Sequence, residues 1–357
     1  MIHFLFFICL FLVYYFFHFR YKPDRKKEII AMAIVMFLFG ALRGKSVGID
    51  VSTYYDYYLE CVNIPIDSFF HIDTIGRFYS KDTGFYLFLK LLTYISKDPQ
   101  LMLIVISGVF AFSFAYFAIH QEGDSFVIFT AFITFRIFAF TLTGLRETMS
   151  LAFILIAICQ LQKKKRIRAS LLTIIAAFFH LSAVVFFLGI IFSFLKKYKL
   201  IASIMIVFVF ANMISGNYIV YSLSQLFLNG RYAHYGEYAL QQSFSLSTTF
   251  VLFTFFYVVV LFISKKMIQK DDTYYITLNI ITLGIAFSIL GMGIDNIFRI
   301  AYYFIIPLFS AFDISLKYVF KRDDLHIIKP LLCGLLVLQY VILGPGAGIT
   351  EYVFFWE

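Results

Sequence analysis

Phe250-Val251-Leu252-Phe253-Thr254-Phe255-Phe256-Tyr257-Val258-Val259-Val260-Leu261-Phe262-Ile263 is an unbroken apolar run, and it stops at Ser264-Lys265-Lys266. With its flanks it covers residues 247–264, close to the roughly 20 residues that a helix needs to cross a hydrocarbon core. Backbone amides in lipid have no water to bond, so such a run satisfies itself as a helix. A β-barrel would show shorter segments of alternating polarity instead. Nine more stretches read the same way: 2–19, 28–42, 99–119, 125–141, 148–162, 200–215, 272–291, 297–318 and 327–343. The expectation is an all-α, polytopic integral membrane protein of about ten transmembrane helices, forming one domain over residues 1–357.

Composition agrees. Hydrophobic residues make up 61% of the 357 and charged residues 14%, against about 25% charged in soluble domains. So few charges cannot cover a water-facing surface. The chain begins apolar at Ile2 without a basic leader, so its start reads as a first helix rather than a cleaved signal. Cys9, Cys61, Cys159 and Cys333 are scattered without metal or disulfide spacing. The formal net charge of +9 could suggest a nucleic-acid partner, but its distribution argues for topology instead. Basic clusters at Arg20–Lys27, Lys163–Arg168, Lys196–Lys199, Lys265–Lys270 and Lys317–Lys329 hold 20 of the 30 Lys and Arg residues. By the positive-inside rule these clusters are cytoplasmic, and both termini are then outside.

Two segments do not count as spans in this scheme. Residues 83–96 carry Thr83, Tyr86, Lys90 and Thr93 at helical spacing, with Lys97 just beyond, opposite a Leu/Phe face. That amphipathic stripe suits a helix lying in the interface. Residues 169–195 are too long for one straight span and are interrupted near His180-Leu181-Ser182. They read as two short helices that enter and return on one side.

The outer loops then gather Arg43, Asp50, Arg77, Asp82, Arg146, Glu147, Arg231, His234, Asp295 and Arg299, with tyrosines at 54, 55, 57, 58, 232, 235 and 238. Guanidinium groups bind phosphate in bidentate fashion, and aromatic faces cover sugar rings. The plainer reading is that such arginines hold lipid head groups and such tyrosines sit at the interface. Arg299, placed in the first turn of the 297–318 helix, opposes the helix dipole and calls for an anion. Arg136 lies inside an apolar run and calls for a cavity or a partner. Walker, nucleophile-elbow and HExxH motifs are absent.

Leu42-Arg43-Gly44-Lys45-Ser46-Val47-Gly48-Ile49-Asp50, followed by Tyr54 and Tyr57, resembles the first external loop of the EpsG family, Wzy-like polymerases of exopolysaccharide, capsule and O-antigen repeats. Four later stretches agree in order. Asp82-Thr83-Gly84-Phe85 is similar to the family's Glu-Pro-Gly-Phe/Tyr. Gly144-Leu145-Arg146-Glu147 resembles its Arg-Gln helix start, with Glu where Gln is usual. Phe178-Phe179-His180-Leu181-Ser182-Ala183 matches Phe-His-x-Ser-Ala, and Arg299-Ile300-Ala301-Tyr302-Tyr303-Phe304 resembles a late Arg-x-x-x-Tyr-Phe.

The resemblance implies a GT-C-like membrane glycosyltransferase of the bacterial plasma (inner) membrane. It would transfer a glycan from polyprenyl pyrophosphate to a lipid-linked repeat unit on the outer face. Its partners would be that lipid-linked oligosaccharide, the bilayer and a chain-length regulator, with no nucleic acid, no cofactor and no metal required. On this reading Arg43, Arg146 and Arg299 hold pyrophosphate. Asp50 is the base, His180 competes with it for that role, and Arg231, Tyr54 and Tyr235 contact substrate. Two other classes stay open: a flippase or transporter of the lipid-linked oligosaccharide, and an acyltransferase that decorates the glycan.

Overall fold

The computed structural model describes residues 2–17, 24–70, 82–215, 218, 221–222, 247–291, 295–344, 346, 349 and 351–357. Regular structure among them is helical, apart from one isolated bridge pairing Arg43 with Phe354. The helices are α1 (Ile2–Tyr15), α2 (Arg25–Ala41), α3 (Val51–Asn63), α4 (Thr83–Thr93), α5 (Gln100–His120), α6 (Ser125–Thr134), α7 (Ile137–Thr143), α8 (Leu145–Gln162), α9 (Arg166–Phe179), α10 (Phe187–Phe192), α11 (Tyr198–Ile214), α12 (Thr248–Lys270), α13 (Tyr274–Leu290), α14 (Asp295–Ile300), α15 (Tyr302–Ile305), α16 (Pro307–Val319) and α17 (Arg322–Leu343). Each of the ten apolar stretches falls on a helix or a broken helix. By length and composition, four described helices, α5, α8, α12 and α17, can each cross a membrane alone. The number rises to six if two bent pairs are counted. One is α6 with α7, bent by 59°; the other joins Phe298–Ile305 to Pro307–Val319 at 51°.

The chain divides into two compact units, Met1–Gln160 with Ile167–Val184 and Val319–Glu357, and Leu161–Arg166 with Val185–Tyr318. In the first, α2 packs along α5, α1 lies on α2, α17 lies on α6, and α3 pairs with α4. Charged side chains here serve helix ends. Arg25 donates to the carbonyls of Ala118 (2.9 Å), Gln121 (2.9 Å) and Gly123 (3.1 Å), which places a cation where α5 leaves its last carbonyls unpaired. Asp124 accepts from Phe126 N–H at the start of α6 and pairs with Lys329 of α17 at 3.4 Å. Arg136, with a left-handed φ of 64° at the α6–α7 break, donates to Leu343 O at 2.7 Å and so supplies the intramembrane arginine with its partner. The C-terminal segment returns to the end of α2: Gly44 N–H donates to Val353 O (2.8 Å), and Phe355 N–H to Leu42 O (3.0 Å).

The polar stripe of α4 is turned into the protein rather than toward water. Tyr86 and Lys90 are buried while Leu91 is half exposed, and Lys90 Nζ caps α3 through Cys61 O (3.0 Å) and Val62 O (3.4 Å). Helix periodicity tells which residues share a face but not what that face meets. The 169–195 segment does break at His180, where α9 gives way to a 3-10 turn over Leu181–Phe186.

In the second unit α13 is buried nearly all round and is packed by α10, α11, α12, α14 and α15, as expected of a helix apolar on every face. Asn279 Nδ2 bonds Phe192 O and Leu195 O, both at 2.9 Å. On α12, Phe253, Phe256 and Val260 face inward, with Phe256 stacked on Phe312 at 3.7 Å. Phe255, Val258 and Phe262 are exposed, an apolar outer face suited to lipid. Arg299 lies in the last turn of the short helix α14, not the first turn of a long one. Helical backbone continues from there through Ala301 into α15, so Arg299 stands within a broken helix rather than at the start of one long one.

Gly84 sets how closely α4 approaches the end of α9. A Cβ at this position would stand 2.3 Å from Phe178 O. At an ordinary helix position Gly→Ala gains about 1 kcal/mol. Here the clash reverses the sign, and Gly84→Ala is expected to lose about 1–3 kcal/mol, read as a lower melting temperature of the detergent-solubilised protein. An unchanged or higher value would refute the close contact.

Candidate functional site

Four polar side chains converge in the first unit from three places in the sequence. Asp82 immediately precedes α4, Arg146 and Glu147 lie in the first turn of α8, and His180 ends α9. The Asp82 side chain is 1% exposed, and its carboxylate takes donors on both oxygens. Oδ2 accepts from Arg146 Nη1 (2.8 Å) and His180 Nδ1 (3.0 Å). Oδ1 accepts from Leu181 N–H at 3.0 Å, an amide beyond the end of α9. The other ring nitrogen, His180 Nε2, faces Glu147 Oε1 at 3.3 Å. Arg146 Nε donates to Tyr54 OH at 3.2 Å, and its guanidinium lies over the Tyr54 ring. Tyr54, Phe85 and Tyr86 pack edge to face around this polar group.

Burial alone would push the Asp82 carboxyl up. The His180 hydrogen bond and charge, the Arg146 charge and the Leu181 amide outweigh it and hold Asp82 below the ordinary carboxylate value. Burial would likewise push His180 down, but its bonds to Asp82 and Glu147 raise it from 6.5 to about 9. At neutral pH His180 is therefore an imidazolium, with both nitrogens donating. Two donors point away from Asp82. One is His180 Nε2, which meets Glu147 Oε1 at 3.3 Å. The other is Arg146 Nη2, which makes no hydrogen bond among the described residues, on a side chain 27% exposed. A fixed guanidinium and imidazolium side by side can bind a phosphate or pyrophosphate oxygen pair. Asp82 and Glu147 sit on opposite nitrogens of one ring, so the trio cannot converge on a single ion. Among the described residues no group of three His, Cys, Asp or Glu forms a metal-holding cluster.

Of the residues expected from sequence, the fold brings together His180, Arg146 and Tyr54. Asp50 is nearby: its charge acts on Tyr54, and its backbone N–H donates to Thr143 Oγ1 at 3.1 Å. Among the described residues its carboxylate caps nothing, although it stands at the start of α3. Arg43 is elsewhere and turned inward. It is 1% exposed and bonds Gly40 O, Ser107 Oγ (3.2 Å) and Leu142 O (3.1 Å), so its guanidinium ties α2, α5 and the end of α7 rather than facing a ligand. Arg299 belongs to the second unit. Arg231 and Tyr235 lie outside the described residues. Asp82 and Glu147 were not among the expected site residues. Their signal was their place inside the two motifs that depart from the family pattern.

The EpsG family model matches residues 26–353 of the chain. No curated protein and no solved structure matches it.

The raised His180 value has a consequence for stability. A histidine whose folded value lies above its unfolded one stabilises fully below the unfolded value, and that contribution is lost as pH rises through the folded value. The window here runs from about 6.5 to about 9. The melting temperature in detergent should fall across that window in the wild type, and His180→Gln should lack this alkaline decline. The same slope in both proteins would place its origin outside the Asp82–His180–Glu147 contact.

Proposed function

Since the chain belongs to the EpsG family, whose members carry a polysaccharide-polymerase-like role, we propose that it extends a lipid-linked glycan by whole repeat units on the outer face of the bacterial plasma membrane. The donor is a polyprenyl-pyrophosphate-linked oligosaccharide, and the acceptor is a second lipid-linked repeat. An acceptor oxygen forms a bond to the donor's anomeric carbon as the bond from that carbon to phosphate breaks. Polyprenyl pyrophosphate leaves with the electron pair, and the hydroxyl proton passes to a base.

The observation carrying this reading is that one buried carboxylate, Asp82, fixes the Arg146 guanidinium and the His180 imidazolium side by side, with Arg146 Nη2 making no hydrogen bond among the described residues. Charge grows on the leaving pyrophosphate during the reaction, and donors fixed beforehand stabilise it most. His180 serves as a cation rather than a base, because its raised value keeps it protonated at neutral pH. Asp50 takes the base role, its carboxylate uncommitted among the described residues and its charge reaching Tyr54. Tyr54 is buried and holds Arg146 Nε, so it positions the guanidinium rather than offering its face to a sugar ring. The family resemblance supports a GT-C-like layout, and the distribution of Lys and Arg supports both termini outside. Arg299 is retained as a phosphate ligand of the second unit, Arg231 and Tyr235 as substrate contacts, and a chain-length regulator as a partner. None of these carries the argument.

The test is gel analysis of lipid-linked glycan in cells lacking the gene. Single repeat units should accumulate, and wild type should restore ladders. Arg146→Ala should lower polymer by about 10²-fold or more, as loss of one preorganised donor does. Ladders unchanged without the gene would overturn the polymerase reading. Repeats trapped facing the cytoplasm would indicate the flippase, and full-length polymer lacking acyl groups would indicate the acyltransferase.

A further inference from the structure

The four charged groups of the site are two cations and two carboxylates, and the two carboxylates are held very differently. Asp82 is 1% exposed and takes Arg146, His180 and the Leu181 amide. It cannot leave without stranding buried donors. Glu147 stands on the outer side of the imidazole, 19% exposed, and meets Nε2 at 3.3 Å, longer than the 3.0 Å of Asp82 on Nδ1. Its other oxygen folds back over Gly144, where an added Cβ would come within 2.6 Å of it. Glu147 therefore curls over the first turn of α8 against the same nitrogen that the anion site would use.

An imidazolium Nε2 has one proton to donate. A phosphate oxygen and a carboxylate oxygen cannot both take it in good geometry. We propose that Glu147 competes with the pyrophosphate group of the substrate for His180 Nε2, and so sets how tightly the site holds its lipid-linked donor and its departing carrier. The proposal rests on the reading of Arg146 and His180 as a pyrophosphate site. With Glu147 in place, the charges of Arg146 and His180 are matched by those of Asp82 and Glu147, and a multiply charged anion gains little. When Glu147 swings aside, the site carries a net positive charge and an open donor. The charge on Glu147 thus trades ground-state affinity for release, which favours turnover in a processive polymerase whose product carrier is itself a pyrophosphate.

Glu147→Gln keeps the side chain's length and hydrogen bonding and removes its charge. The experiment is calorimetric titration of inorganic pyrophosphate into the full chain in detergent at pH 7, comparing wild type, Glu147→Gln, Glu147→Ala and Arg146→Ala. Glu147→Gln should bind on the order of tenfold more tightly than wild type, the scale of one removed like charge beside a charge-assisted hydrogen bond. Glu147→Ala should shift the same way and serves if the glutamine variant does not fold. Equal or weaker binding by both Glu147 variants, with binding lost in Arg146→Ala, overturns this proposal and leaves the pyrophosphate site standing. Binding that ignores Arg146→Ala, or no binding by any of the four proteins, overturns the pyrophosphate reading itself and the competition with it.

Discussion

A carboxylate taken out of water survives as an anion only where donors replace the water it lost. Asp82 meets that condition with a guanidinium, an imidazole and a backbone amide. Each donor comes with a structural commitment. The amide of Leu181 is satisfied beyond the end of α9, so the helix can stop at His180 without stranding it. The imidazole is held through Nδ1, so Nε2 must point the other way. The guanidinium is held through Nη1 and through Tyr54, so Nη2 is the nitrogen left over. Removing the carboxylate would release all three at once, which is why the local chain path and the local chemistry cannot be separated here.

The contrast with the other arginines shows what makes this group unusual. Arg25, Arg43 and Arg136 all donate to backbone carbonyls near helix ends or breaks. Apolar surroundings make that the default use, since the last carbonyls of a helix have no intrahelical partner and no water to turn to. Lys90 does the same for α3. Arg146 is held by a carboxylate and a phenol instead, and keeps a donor facing outward. A cation fixed by an anion in a partly exposed position is oriented without being used up.

The helices were legible because each long apolar run must satisfy its own backbone, and the interruption at His180 was legible as a polar residue amid Phe178, Phe179 and Leu181. Chain packing was not. Arg43 and Arg146 look alike in sequence, each within two residues of a glycine near the end of an apolar stretch, and only tertiary structure sends one into the interior and the other to His180. The stripe on α4 had the right periodicity and the wrong neighbour. Arg299 changed from the start of one helix to the end of another because α14 begins at Asp295 and ends at Ile300, bounds that hydropathy does not register. Asp82 lies 98 residues from His180, and no local pattern joins positions so far apart.

The two acidic departures from the family's motifs turn out to be physically linked. Asp82 stands where Glu is usual and Glu147 where Gln is usual, and they meet opposite nitrogens of one imidazole. A neutral amide at 147 would leave His180 with one carboxylate and a lower proton affinity. A carboxylate there holds the ring charged, and a charged ring strengthens its bond to Asp82 in turn. In the proposed reaction the ring therefore gives up the role of proton acceptor, and a carboxylate outside this cluster is the proposed base. Asp50 fits that need because it shares the neighbourhood of Tyr54 without sharing the imidazole. On the proposed reading, proton transfer and leaving-group stabilisation then fall to different side chains, and each can hold the charge its own step requires.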